Sequence, residues 1–217
     1  MPSVCLVSKP QLPVELELLP ATKIAPGVEF EAGLIADANW SQGLAARMEL
    51  EAVKLERVDM TSAKLRESSW MDVHISGGQF GGTDLAGLTA RRIVIETSRM
   101  SGCIMSESNL RDLRIVSSKL DMINFRFAKL KNIIFKDCDF TDADFAGATL
   151  TGVIFQNCKL ERANFDGAAM SVVDITSCEL IDLVGVRGLA GATIGYDQLA
   201  TIAPSLANEL GILLKKD

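Results

Sequence analysis

The stretch that decides the fold is FTDADFAGATLTGVIFQNCKLERANF, residues 140–165, in which a large apolar residue returns at every fifth position. The same spacing extends from Phe30 to Leu180, and only Ala45 and Ala90 put a small residue in the large position. A period of five matches neither the 3.6-residue periodicity of an α-helix nor the alternation of a β-strand. It is typical of a repeat architecture, in which each unit buries its apolar side chain against its neighbours.

Two positions before each large residue the chain prefers a smaller one, with Val, Ile or Leu at several of these positions, and the other three positions are mostly polar, charged or Gly. The segments ADFAG, residues 143–147, and ANFDG, residues 163–167, resemble the A-(D/N)-(L/F)-X-X motif of pentapeptide repeat proteins. The same register covers about 150 of the 217 residues. The residues therefore carry a resemblance to this family over most of the chain.

The resemblance implies an all-β solenoid, a right-handed quadrilateral β-helix with four pentapeptides and about 20 residues per coil. Residues 20 apart would then stack about 4.8 Å from one another, as paired strands do. In such stacks Phe145 lies between Phe125 and Phe165, and small Ala90 lies beside large Trp70. A close-packed interior needs that exchange of volume between neighbours. We expect roughly seven to eight coils without protruding loops.

Two flanking segments are expected to close the ends of the solenoid, residues 30–185. Residues 1–29 are rich in proline, and residues 14–18 alternate like a half-buried strand, which predicts an N-terminal cap. In residues 186–217, Asp197 can begin a helix that Pro204 splits or restarts and Gly211 ends. The resemblance implies a dimerisation module here, with a monomeric lid as the alternative; the candidate dimer residues share one helical face and are Leu199, Ile202, Leu206 and Leu210.

No pattern in the sequence indicates an active site. The one histidine, His74, has no second ligand at metal-binding spacing, and no serine lies in a nucleophile elbow. A convex rod without a cleft could not desolvate outward carboxylates for acid–base work. Three cysteines 20 apart are expected to form an inward ladder of free thiols rather than a metal or disulfide site: Cys138, Cys158 and Cys178. We therefore expect no enzyme activity, catalytic residue, cofactor or metal.

Composition places the chain among globular proteins, with 48% hydrophobic and 23% charged residues. The sequence has no apolar run of about 18 residues and no recognisable signal peptide. We therefore expect a cytoplasmic protein with no membrane partner.

The resemblance implies one function class, a DNA-mimicking modulator of DNA gyrase or topoisomerase IV that protects these enzymes from fluoroquinolones. Mimicry needs carboxylates arrayed along the rod, because duplex DNA presents dense negative charge. The net charge is only −6, from 22 basic and 28 acidic residues. Folding the sequence by 20 gives acidic partner-binding candidates near the C-terminal end, Asp139, Asp142, Asp144 and Asp166, and a basic cluster of candidates, Arg91, Arg92, Arg111, Lys129 and Lys131.

The second function class is a general protein-interaction scaffold with a partner unrelated to DNA. Val94, Ile134 and Ile154 put apolar side chains on one outward face, where the motif usually has polar ones. Contiguous exposed apolar area marks interaction sites, although β-branched residues also suit a strand surface. In both classes the partner is a protein, and no direct binding to nucleic acid is expected.

Overall fold

The computed structural model describes residues 7–20 and 23–213, which form a parallel β-solenoid with one C-terminal α-helix. The strands belong to one sheet, and every pairing between them is parallel. They are β1 (Glu17–Leu18), β2 (Glu29–Glu31), β3 (Gly33–Ala36), β4 (Glu49–Glu51), β5 (Lys54–Glu56), β6 (Ser69–Ser76), β7 (Thr89–Glu96), β8 (Asn109–Val116), β9 (Lys129–Lys136), β10 (Thr149–Gln156), β11 (Ala169–Asp174) and β12 (Ala192–Thr193).

The pairing register confirms the predicted coil of 20 residues. Trp70 pairs with Ala90, Leu110 with Leu130, and Leu150 with Met170, so each coil repeats the one before it. Four faces result. Face A runs through residues 29–31 to 169–171, and face B through residues 33–36 to 173–174. Face C carries the bridges from Asn39 to Glu179, and face D those from Leu44 to Val184.

The backbone turns between faces at the residue two positions after each large one. These corner residues have positive φ, and most of them are not glycine. Asn and Asp tolerate this left-handed conformation better than other residues with a side chain, and they fill several corners. Val172 and Thr97 are poor fits, because a β-branched side chain is strained at φ 56° or 48°. The solenoid therefore holds residues with side chains in a left-handed backbone conformation that they seldom adopt.

The core is a set of stacked columns of apolar side chains. Phe145 is fully buried, and its ring centroid lies 5.3 Å from Phe125 and 5.0 Å from Phe165, with near-parallel planes. Trp70 and Ala90 are register partners, as the exchange of volume predicted. Among the described residues, the buried Nε1 of Trp70 has no hydrogen-bond partner. The predicted inward stacking is thus confirmed.

The N-terminal segment differs from the predicted alternating strand. Only Glu17–Leu18 is a strand, Val14 is fully exposed, and Leu18 is 69% exposed. The proline-rich sequence limits pairing here, because proline lacks the N–H that a ladder needs. Instead, half-buried apolar residues close the first coils, among them Leu19, Ile24 and Val28.

The C-terminal end is closed by a 3₁₀ helix, Val186–Leu189, and by helix α1, Gln198–Glu209. The predicted split at Pro204 is wrong, since α1 continues through it. Asp197 occupies the N-cap position but its side chain makes no capping hydrogen bond. The side chain of Gln198 closes the coil edge, because its Nε2 donates to the carbonyls of Ile175 (2.9 Å) and Cys178 (2.6 Å).

Candidate partner-binding surfaces

Face A carries most of the predicted basic cluster. Arg91, Arg111, Lys129 and Lys131 are exposed, and register pairing places Arg111 between Arg91 and Lys131. Arg92 does not share this surface, because it lies at the corner with face B and its guanidinium forms two hydrogen bonds to Asp72, with Nε 2.6 Å from Oδ1. Its side chain is 15% exposed. The exposed basic surface therefore has four residues.

The predicted acidic candidates are mostly engaged by neighbouring groups. Asp142 accepts two hydrogen bonds from Arg162 at 2.7 and 2.8 Å, and these lower the pKa of its carboxyl. Asp144 pairs with Arg126 at 3.0 Å. Burial raises the pKa of Asp139, but the hydroxyl and backbone N–H of Thr141 donate to it and bring the pKa below its ordinary value. Only Asp166 of the four makes no side-chain hydrogen bond or ion pair among the described residues.

The last coil adds acidic residues that the sequence analysis did not choose as candidates. Glu179 and Asp182 are exposed, as is Asp166, and none of the three forms an ion pair within the described part of the chain. Arginine side chains that neutralise Asp142 and Asp144 lie farther back along the rod, at positions 162 and 126. Lys159 is the register neighbour of Glu179, and Arg162 lies 20 residues before Asp182 at the same corner. The exposed carboxylates that form no ion pair among the described residues are therefore concentrated at the C-terminal end, close to basic side chains.

Face B is partly covered by the N-terminal segment, residues 7–12. This segment and the face enclose a cleft of about 660 Å³, lined on the face by His74, Val94, Glu96, Arg114 and Ile134. The expectation of a rod without a cleft is therefore wrong. Val94 and Ile134 are half-buried in the cleft wall, and Ile154 is half-buried on the same face. As a result, the three apolar candidates form a less open surface than the sequence predicted.

A polar contact fixes the segment against the solenoid. The backbone N–H of Gln11 donates to Oδ1 of Asp72 at 2.8 Å. The same carboxylate is bound by Arg92, whose hydrogen bonds together with that from Gln11 hold the pKa of Asp72 below its ordinary value. His74 Nε2 lies 3.3 Å from Oε2 of Glu96 in the cleft below. Arg92 thus acts by orienting the carboxylate that holds the segment.

The four dimer candidates of the C-terminal module have different environments. Ile202 is 4% exposed and packs in the chain's own core, while Leu206 is half-buried against it. Leu199 and Leu210 are 47% and 65% exposed. Apolar side chains outside the predicted set are exposed as well, namely Tyr196, Ile212 and Leu213. Any contact with a second subunit would therefore use the exposed apolar residues of this module, because Ile202 is already buried in the core of its own chain.

The described residues offer no arrangement suited to metal or thiol chemistry. Among them no group of three or more His, Cys, Asp and Glu side chains is placed to hold a metal ion. Cys138, Cys158 and Cys178 are buried free thiols, as predicted. A hydrogen bond with Cys158 and burial both raise the pKa of Cys138, whereas a hydrogen bond with Cys158 lowers the pKa of Cys178. A protonated thiol is a poor nucleophile and metal ligand.

In residues 7–20 and 23–213, no helix has the length and apolar character needed to cross a membrane.

The match to a protein family agrees with the solenoid geometry. Residues 93–165 and 116–183 match the model of a family described as a pentapeptide repeat region. No curated protein sequence matches the chain. Among solved structures, the chain is similar to trypsin-treated QnrB1, a plasmid-mediated fluoroquinolone resistance protein, with 17% identity, a TM-score of 0.40 and coverage of 93% of this chain and 100% of that chain. It is also similar to HetL, a pentapeptide repeat protein involved in heterocyst differentiation regulation from the cyanobacterium Nostoc sp. strain PCC 7120, with 13% identity, a TM-score of 0.32 and coverage of 76% and 88%.

Proposed function

Because the chain belongs to the pentapeptide repeat proteins, we propose that it is a non-catalytic protein-binding rod. The observation that carries this proposal is the set of exposed side chains held in fixed register on the outer faces, as on face A. A rigid array of this kind loses little conformational entropy when a partner binds. Most carboxylates are exposed or paired with a basic side chain, as Asp142 and Asp144 are, so they lack the desolvation that acid–base chemistry needs.

Within this class, we propose a type II topoisomerase, such as DNA gyrase, as the partner. The support is the group of exposed carboxylates on the last coil, since Asp166, Glu179 and Asp182 form no ion pair among the described residues. A surface that normally binds duplex DNA attracts such a group of carboxylates. The DNA-like surface is thus assigned to the last coil rather than to Asp142 and Asp144, which arginine neutralises.

The proposal includes a homodimer formed end to end through the C-terminal module. Leu199, Leu210 and Leu213 are exposed there, and a two-fold axis would cover them in both subunits. Such a dimer lengthens the rod and brings two acidic last coils close together. We also propose that the chain lies in the cytoplasm, where it can meet a topoisomerase on DNA.

A supercoiling assay with purified gyrase, with and without a quinolone, tests this partner. We expect the full chain to alter supercoiling and to reduce quinolone inhibition. The double variant Asp166→Lys with Glu179→Lys should lose at least about tenfold in potency, because it reverses two charges of the proposed contact. A matched control, Glu67→Lys with Glu107→Lys, reverses two exposed charges at another corner and should retain the activity.

A general interaction scaffold is the second candidate, favoured by the cleft between residues 7–12 and face B. Its wall combines the apolar side chains of Val94 and Ile134 with charged Glu96 and Arg114, as ligand-binding clefts commonly do. If the full chain leaves gyrase unaffected at every concentration, the topoisomerase assignment fails and this candidate replaces it.

A further inference from the structure

Face A carries its charges sorted by sign along the rod. The first two rungs, residues 29–31 and 49–51, are acidic, and the third rung presents Ser69 and Met71. The fourth to sixth rungs, residues 89–91, 109–111 and 129–131, are basic. The eight charged side chains involved are all exposed; they are Glu29, Glu31, Glu49, Glu51, Arg91, Arg111, Lys129 and Lys131.

These charges are not balanced within one chain. The register places Glu29 beside Glu49, Glu31 beside Glu51, and Arg111 beside both Arg91 and Lys131. Like charges directly opposite on neighbouring strands destabilise a sheet. Of the eight, only Arg111 forms an ion pair in the described part of the chain, with Nε 3.4 Å from Oδ2 of Asp112. Face A would therefore gain from a partner that presents opposite charges at the spacing of the strands.

We propose that face A docks onto face A of a second copy of this chain, with the two rods antiparallel. The two-fold axis lies in the interface, parallel to the strands, between the third and fourth rungs. The first rung then opposes the sixth, the second opposes the fifth, and the third opposes the fourth. Each outward column faces its own copy, which produces three ion pairs that each occur twice: Glu29 with Lys129, Glu31 with Lys131, and Glu51 with Arg111.

The remaining contacts of this arrangement are also compatible. Glu49 opposes Asn109, whose amide can donate a hydrogen bond to the carboxylate. Ser69 opposes Thr89, and Met71 opposes Arg91, whose aliphatic stem can pack against the thioether side chain. No like charges meet across the interface.

The order of acidic and basic residues along face A favours a second copy of the chain over other partners. A parallel pair of rods would place Glu29 against Glu29 and Lys131 against Lys131, which costs free energy. A polyanion would be attracted to the basic half of face A and repelled by its acidic half. A polycation would be attracted to the acidic half and repelled by the basic half. Residues 7–12 lie along the neighbouring face B, and the charged columns of face A stay exposed.

The interface is small, so the association should be weak and dependent on salt. Six rungs extend over about 24 Å, and one face is about 10 Å wide. The area per copy is far below the roughly 800 Å² per partner of a stable complex. Exposed ion pairs are individually weak and are screened by salt. This interface differs from the proposed C-terminal dimer, which is apolar and end to end.

Sedimentation velocity of the full chain at about 100 μM tests the proposal, in about 50 mM and about 500 mM NaCl. Every protein also carries Leu210→Glu, which removes an apolar contact at the C-terminal end. We expect the dissociation constant to rise at least about tenfold at the higher salt concentration.

Two charge-reversal variants and their mixture give the decisive comparison. The basic-half variant (Arg111→Glu, Lys129→Glu and Lys131→Glu) and the acidic-half variant (Glu29→Lys, Glu31→Lys and Glu51→Lys) each have a face of one predominant sign. Each should self-associate at least about tenfold more weakly, and an equimolar mixture should form a 1:1 heterodimer at least as tight as the parent homodimer. Arg99→Glu with Lys119→Glu reverses two exposed charges on face C, which is opposite to face A; it is the control and should self-associate like the parent.

A parent chain that is monomeric at both salt concentrations would overturn the proposal. Self-association that survives either reversal, or a mixture that does not form the heterodimer, would overturn it as well. Thermal unfolding followed by circular dichroism checks that each variant is folded, and recovery in the mixture shows that both retain a competent surface. None of these results depends on gyrase, so the topoisomerase proposal stands or fails separately.

Discussion

Replacing Phe145 with alanine removes a ring from the centre of the aromatic column. Phe145 is fully buried, and its ring stacks on Phe125 at 5.3 Å and on Phe165 at 5.0 Å. It also meets the ring of Phe155 edge to face at 6.0 Å. Buried Phe→Ala changes cost about 3–5 kcal/mol, and aromatic pairs contribute about 0.5–1.5 kcal/mol each beyond area burial. We therefore expect Phe145→Ala to lower the free energy of unfolding by about 4–5 kcal/mol.

Urea unfolding followed by circular dichroism measures this loss, and Phe127→Ala is the matched control. The Phe127 side chain is 57% exposed at a corner, where its ring lies over Gly147 and accepts a cation–π contact from Arg126 at 5.3 Å. An exposed contact of that kind is worth about 0.5–1 kcal/mol, so the control should lose no more than about 1 kcal/mol. A loss for Phe145→Ala below about 1 kcal/mol, or equal to that of the control, would refute the inward column.

Three further changes test the core, a corner and the N-terminal contact. Ala90→Leu alone should cost about 1–3 kcal/mol in urea unfolding, and combining it with Trp70→Leu should recover part of that cost, since the two residues are register partners; strictly additive effects would show that they do not pack together. Val172→Gly should stabilise the chain by about 1 kcal/mol in the same assay, because it relieves a β-branched residue at φ 56° whose side chain is 57% exposed; a loss of stability would contradict the strained corner. Hydrogen exchange of the Gln11 amide should be at least about tenfold faster in Asp72→Ala, and protection unchanged by the substitution would exclude the contact. Because the folded-state pKa of Asp72 is lowered, the contact should persist above pH 3.8 and weaken only as the pH falls below that value.

The five-residue period predicts the solenoid because inward positions must be apolar and outward positions need not be. Each large residue occupies an equivalent place in a coil, so a single register accounts for Phe125, Phe145 and Phe165 together. A coil of 20 residues then predicts from the sequence alone that Ala90 lies beside Trp70, as the register shows. The core could therefore be predicted from sequence, since it depends on contacts that repeat.

The ends could not be predicted in the same way, because their contacts occur once. Gln11 meets Asp72 across 61 residues, and no period relates the two. Gln198 resembles any polar residue of an amphipathic helix until its Nε2 is found 2.6 Å from the carbonyl of Cys178. The face B cleft follows from the first of these contacts, which is why the sequence predicted a rod without one.

One part of the charged surface, the ion pairs at the corners, could have been predicted from the sequence. A corner arginine forms a bidentate pair with the corner aspartate 20 residues before it, as Arg57 does with Asp37 and Arg162 with Asp142. Asp72 and Arg92 follow the same rule. Checking corner residues against their neighbours 20 positions away would have separated these paired charges from the exposed ones of face A.

The claim that the acidic last coil takes the place of DNA on a type II topoisomerase is tested most directly by competition. Fluorescence anisotropy of a labelled DNA duplex bound to gyrase would be followed as the full chain is added in about 150 mM salt. We predict complete, saturable displacement of the duplex by the parent chain. The concentration needed for half displacement should rise at least about tenfold for Asp166→Lys with Glu179→Lys and stay unchanged for Glu67→Lys with Glu107→Lys. Anisotropy that stays constant up to about 100 μM protein, or displacement equally strong for both variants, would contradict it.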